Sequence, residues 1–138
     1  MSGIVIDASV ALAWCFPDES SDYADSVLLA LRNSEAIVPA IWPIEIANAL
    51  WVAERRKRIR APEIRRFTAL LSHLKLAGRV QLIGEALGDV LPLATQHAIS
   101  AYDASYLELA IRYDASLATL DEGLRRAAHA AGVVLFQI

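Results

Sequence analysis

Four carboxylates in this chain stand where an apolar run gives way to helical spacing: Asp7 after Ile4-Val5-Ile6, Glu45 in Pro43-Ile44-Glu45-Ile46, Asp103 in Ser100-Ala101-Tyr102-Asp103, and Asp121 after Leu117-Ala118-Thr119-Leu120. Taken singly, each has an ordinary structural use. An acid at a helix start accepts orphan N–H groups and suits the positive end of the helix dipole. Asp7 and Asp121 read as N-caps, Ser100-x-x-Asp103 has the form of a capping box, and Glu45 sits in a first turn opened by Pro43. Taken together, in a chain of alternating strands and helices, the four could meet at one edge of a parallel sheet. Four carboxylates in one place do not all stay ionised without a cation. Hard oxygen donors of this kind suit Mg²⁺ or Mn²⁺. Such a centre supports phosphodiester cleavage, so a metal-dependent nuclease is the first expectation.

Polar residues accompany the acids. Ser9 follows Asp7 by two positions and can bond a carboxylate or a water, or serve the helix start. Asn48 is three residues beyond Glu45 on a similar helix face, where it could orient Glu45 or touch substrate. Thr119 and Asp121 put two oxygen-bearing side chains on one side of the chain after a strand. Glu45 lies among Ile41, Trp42, Ile44, Ile46 and Ala47, surroundings in which an unpartnered acid is costly. Glu122 reads as a spare ligand or as surface, and Asp114 as turn chemistry. His73, His97 and His129 share no spacing that would make a zinc site or a catalytic triad.

The elements that must position these residues follow from periodicity. Short β-branched or apolar runs at 4–6, 36–39, 80–83 and 116–119 predict buried parallel strands, and 133–136 a strand that closes the sheet. Helices are expected from Ala8 to Trp14, Tyr23 to Arg32, Pro43 to the basic end at Arg58, from Pro62 to a stop at Gly78, from Glu85 to His97 with a kink or boundary at Pro92, from Ser100 to Tyr113, and from Asp121 to Ala131. Alternating βα units imply a three-layer α/β/α sandwich with a mostly parallel central sheet. Right-handed crossovers bring all carboxyl strand ends to one edge, where the sites of such folds lie.

Composition bounds the rest. A chain of 138 residues favours a single domain over 1–138, and an apolar fraction of 56% fills a core with surface to spare. Cys15 is the only cysteine, which excludes an intrachain disulfide and a cysteine-based zinc site. Met1-Ser2-Gly3-Ile4-Val5 lacks the basic and apolar regions of a signal peptide, and every apolar run is interrupted before membrane length. A cytoplasmic protein with no membrane association is expected. The net charge of −3 argues only weakly against a nucleic-acid substrate, because seven of the 13 Lys and Arg lie between Arg55 and Arg66. The run Arg55-Arg56-Lys57-Arg58 reads as a solvated helix end or as a phosphate-binding rim for RNA. At least two of Trp14, Phe16 and Trp51 read as core, with a groove for a partner helix as the alternative for some of them.

Val5-Ile6-Asp7-Ala8-Ser9, Glu45-Ile46-Ala47-Asn48-Ala49-Leu50, Tyr102-Asp103-Ala104 and Ala118-Thr119-Leu120-Asp121 resemble, in order and spacing, the PIN-domain nucleases. The likeness runs from Ile4 to Leu135 and is greatest to the VapC toxins of toxin–antitoxin pairs. The resemblance implies an Mg²⁺- or Mn²⁺-dependent endoribonuclease. Asp7, Glu45, Asp103 and Asp121 would be its catalytic and metal-binding acids, with Ser9, Asn48 and Thr119 in support. It also implies an RNA substrate, a homodimer, and inhibition by a cognate antitoxin whose tail packs on the toxin. The segment from Arg56 to Leu87 carries no family motif.

Rival classes fit less well. A phosphate-signalling receiver-like domain would place a lysine near the last strands, and Lys57 and Lys75 are elsewhere. A haloacid-type phosphatase would want Asp-x-Asp after the first strand, where this chain has Asp7-Ala8-Ser9. A non-catalytic binding module, using its acids only as caps, remains the third reading.

Overall fold

In the computed structural model, which describes residues 3–138, the β-branched run Ile4-Val5-Ile6 forms β1 (Ile4–Ile6), with every residue buried. Met1 and Ser2, the start of the expected domain and of the segment read for a signal peptide, lie outside the described residues. Gly3 lets β1 enter against its neighbour: a Cβ there would stand 2.8 Å from the Glu35 carbonyl oxygen. The chain continues through α1 (Ala8–Cys15), a 3₁₀ turn at Pro17–Glu19, α2 (Asp22–Ala30), β2 (Ala36–Pro39), α3 (Trp42–Arg55), α4 (Ala61–Ser72) and β3 (Leu76–Arg79). After a single turn α5 (Ile83–Glu85) and a π-helical turn at Ala86–Val90 come α6 (Leu91–His97), α7 (Ala101–Arg112), β4 (Ser116–Ala118) and α8 (Glu122–Ala130).

The four strands are all parallel, in the order β3-β2-β1-β4. In register, Ile4 faces Ala36 on one side and Ser116 on the other. The inner strand β1 is therefore flanked by segments from the two halves of the sequence. On one side α1 packs with α2, α3 and α4, while α7 lies against β1, β2 and β4 and carries α6 and α8 beside it. This is the expected three-layer α/β/α sandwich. Seven successive α7 residues, from Ala104 to Ala110, are buried, because that helix is wedged between sheet and neighbouring helices. Burying Leu107, Leu109, Ile6 or Leu117 stabilises the fold by roughly 1.5–3 kcal/mol each.

Several expected elements moved. The third strand occupies 76–79 instead of 80–83. The Leu82 N–H donates to Glu85 Oε1 at 2.8 Å and starts a helical turn there, while Ala36 N–H donates to the Lys75 carbonyl at 2.8 Å and draws 76–79 onto the sheet edge. Gly78 thus pairs with Val38 in a strand, and α4 ends earlier, at Ser72. Pro92 lies in the first turn of α6, as a boundary after the π turn. The segment 133–136 makes only one bridge, Leu117 to Leu135, held by Leu117 N–H to Val134 and Phe136 N–H to Leu117. Trp51 is 54% exposed and therefore not core, whereas Phe16 is buried. Trp14 is half-buried, its indole N–H donating to the Ala24 carbonyl at 2.8 Å. Among the described residues no helix is long and apolar enough to cross a membrane.

Candidate active site

Asp7 follows the inner strand directly and is 6% exposed. It N-caps α1, accepting from the Val10 N–H at 3.2 Å. The same oxygen accepts from the Ser9 hydroxyl at 2.6 Å, and Oδ2 accepts from the Thr119 hydroxyl at 2.5 Å. Burial pushes the Asp7 carboxyl up to about 6. The hydrogen bonds from Ser9, Thr119 and Val10 pull against that shift, and the negative charge of Asp103 adds to it.

The two βα corners are stitched together by hydroxyls. Ser9 Oγ donates to Asp7 and accepts from the Leu120 N–H at 3.0 Å. Thr119 Oγ1 donates to Asp7 and accepts from the Asp121 N–H at 3.0 Å. Asp121 N-caps α8 through the Leu124 N–H at 2.8 Å, and its side chain is otherwise exposed. Residue 123 is small beside it: a Cβ on Gly123 would stand 3.3 Å from Asp121 Oδ2.

Glu45 and Asp103 come from the first turns of α3 and α7. Asp103 N–H donates to Ser100 Oγ at 3.0 Å, one half of the anticipated capping box. Both carboxyls lie above their ordinary range. Burial is the main cause for each. Asp103 adds repulsion at Glu45, and Asp121 adds it at Asp103. Asp103 is thus the acid whose charge is felt by Asp7 and Glu45 alike, and it feels Asp121 in turn. Asn48 is exposed on α3, one turn along from Glu45.

Two further residues belong to this site. Tyr106, 1% exposed on α7, donates its hydroxyl to Glu45 Oε1 in a short hydrogen bond. It stands three residues after Asp103, on the same helix face, and that spacing was the signal available in the sequence. Arg125 donates to the Thr119 carbonyl at 2.9 Å and lies over the Tyr23 ring, bracing the β4 corner from α8. Nothing in the sequence singled it out.

The anticipated basic run is divided. Arg58 pairs with Asp18 at 3.0 Å and Glu19 at 2.5 Å and covers the Phe16 ring at 3.9 Å. Arg55 stacks on Trp51 at 4.8 Å. Arg56 and Lys57 form no ion pair among the described residues.

Among the described residues no three His, Cys, Asp or Glu side chains stand close enough to make a ready metal cage. Donor chemistry nevertheless fits a hard divalent cation. No Lys or Arg forms an ion pair with any of the four acids among the described residues. No ion pair therefore offsets their mutual repulsion, and the carboxylate oxygens keep free lone pairs beyond the hydrogen bonds they accept.

The sequence matches the family described as PIN domain over residues 4–130. It is 32% identical over 121 residues to Ribonuclease VapC3 of Pyrobaculum aerophilum, an alignment covering 88% of this chain and 91% of that protein. Its fold is similar to that of PAE2754 from Pyrobaculum aerophilum, with a TM-score of 0.69 and 24% identity over 91% of this chain and 79% of the other. It is also similar to FitAcB from Neisseria gonorrhoeae, with a TM-score of 0.61 and 16% identity over 97% of this chain and 96% of the other.

Proposed function

This chain belongs to the PIN-domain family, and from that premise we propose that it is an Mg²⁺- or Mn²⁺-dependent endoribonuclease, the toxin of a VapC-type toxin–antitoxin pair. The observation that carries the reading is the junction of the β1 and β4 corners, where Ser9 and Thr119 hold the buried Asp7 carboxyl and Thr119 also takes the Asp121 N–H. The identity to Ribonuclease VapC3 supports ribonucleic acid as the substrate.

In this reading Asp7, Asp103 and Asp121 hold the cation, and Glu45 is a further ligand or orients the attacking water. A bound divalent ion would supply charge neutralisation at the scissile phosphate and water acidified toward neutral pH. Ser9 and Thr119 fix the Asp7 carboxylate through both oxygens, so one ligand is oriented before the ion arrives. Tyr106 holds Glu45 through Oε1 alone. We assign residues 1–138 to one such domain, acting in the cytoplasm as a homodimer and restrained by a cognate antitoxin.

The non-catalytic alternative draws on the cap roles of Asp7 and Asp121, but caps do not account for Glu45 beneath a buried tyrosine hydroxyl. The deciding experiment is cleavage of a mixed RNA pool by partner-free protein with Mn²⁺, with EDTA, and with Asp7→Asn. Defined fragments from wild type with metal alone are expected. Equal cleavage by folded Asp7→Asn would remove the assignment.

A further inference from the structure

One side of α3 leads away from the acids. Glu45, Asn48, Val52, Arg55 and Arg56 recur at intervals of three and four, so they share a helix face, with Trp51 at its margin. From Glu45 to Arg55 this face extends about 15 Å at ~1.5 Å per residue. It begins at a half-buried acid of the site, passes the exposed amide of Asn48, and ends at an indole and two guanidinium groups around a shallow cavity of about 280 Å³ lined by Trp51, Val52, Arg55 and Arg56.

Trp51 is an unusual residue to leave in water. It is 54% exposed, and its ring is covered only in part, by the Arg55 guanidinium. Val52 and the cations Arg55 and Arg56 line the cavity beside it, and two guanidinium groups at an indole favour a polyanion as occupant. An aromatic face flanked by arginines is what a nucleic-acid strand uses, since bases stack on the ring while phosphates meet the cations. Arg55, Arg56 and Lys57 have no acid partner among the described residues, whereas Arg58 is committed to Asp18 and Glu19.

We propose that this face of α3 is a track for unpaired RNA, with Trp51 as the stacking platform for one base and Arg55 and Arg56 as its phosphate contacts. The proposal rests on the ribonuclease reading and specifies the form of its substrate. A base must be unstacked to lie on an indole, so single-stranded segments are preferred over duplex.

The test is binding of a short, fluorescently labelled unstructured RNA, and of the same RNA annealed to its complement, in EDTA so that no strand is cut. Wild type is expected to bind the single strand more tightly. Trp51→Ala should raise the single-strand Kd roughly tenfold, as loss of one stacked base implies. Trp51→Phe should recover most of that loss. Arg55→Glu should weaken binding and flatten its salt dependence. Circular dichroism melts check that each variant is folded. Equal wild-type affinity for single strand and duplex, or unchanged affinity in Trp51→Ala, overturns the track. So does an unchanged affinity accompanied by a fall in sedimentation mass, which would assign the face to a contact between chains. If metal-dependent cleavage of RNA persists in those cases, the ribonuclease reading stands without the track. If cleavage is absent too, both fall.

Discussion

The Thr119 hydroxyl links two acids at once: it donates to Asp7 Oδ2 at 2.5 Å and accepts from the Asp121 N–H at 3.0 Å. A residue with no charge and no exposure thereby sets the position of one carboxylate and the backbone entry of another. The site is built from the corner between sheet and helices, and its acids inherit their places from that corner.

Asp7 makes the metal-free protein sensitive to pH. Its folded-state value, pushed up to about 6, lies above the ordinary 3.8. The neutral acid therefore favours the folded state. This stabilisation is complete below pH 3.8 and is lost as the pH rises through about 6. The shift corresponds to about 3 kcal/mol. Asp7→Asn should accordingly raise metal-free stability at pH 7.5 by about 1–3 kcal/mol and remove most of the slope across that window. Urea denaturation in EDTA at several pH values measures both.

Tyr106→Phe removes a hydrogen bond that pulls the Glu45 carboxyl down against burial and the charge of Asp103. Without it Glu45 titrates higher. The acid limb of the cleavage profile should move to higher pH, with activity falling more at pH 6 than at pH 8. Folding should lose about 1 kcal/mol. Single-turnover rates across pH, beside a thermal melt, separate the two effects; an unmoved acid limb would count against a role in holding Glu45.

Glu108 tests stability away from the site. It is 6% exposed, receives two hydrogen bonds from Arg112 at 2.6 and 2.9 Å, and takes a third from Gln81 at 2.7 Å. Burial alone would raise its carboxyl, but the Arg112 and Gln81 bonds outweigh it and hold it below the ordinary 4.5. Its contribution is therefore present above pH 4.5 and lost as the pH falls through the lowered value. Glu108→Ala should cost about 1–3 kcal/mol at pH 7, less than a fully enclosed pair because Arg112 retains a path to water. The deficit should shrink in acid, as denaturation at pH 7 and pH 3.5 would reveal.

Arg58→Ala should lower the melting temperature, since the residue covers Phe16 and pairs with Asp18 and Glu19. Its effect on RNA affinity should be smaller than that of Arg55→Glu. Titration of labelled RNA with both variants distinguishes a structural cation from a binding one.

The legible parts of this chain were those governed by local chemistry. β-branched 4–6, the Asp7 and Asp121 caps and the amphipathic run ending at Arg112 all formed where their residue types required. Leu76-Ala77-Gly78-Arg79 has no strand signature, and it pairs because β2 offers an open edge. Val80-Gln81-Leu82-Ile83 has the signature, but Gln81 turns inward to the Ser105 carbonyl and Glu108, and Glu85 starts a helical turn. Tyr106 and Arg125 escaped notice because their roles depend on partners distant in sequence, Glu45 for the one and the β4 corner for the other.

The pairing of β1 with β4 has a consequence in time. Ribosomes deliver Asp7 more than a hundred residues before Thr119, and β1 lacks one of its neighbours until 116–118 emerge. Contacts of such separation close late. A chain that has not yet reached β4 holds Asp7 without the hydroxyl that fixes it and without Asp121, so the acid site assembles only once that corner has emerged.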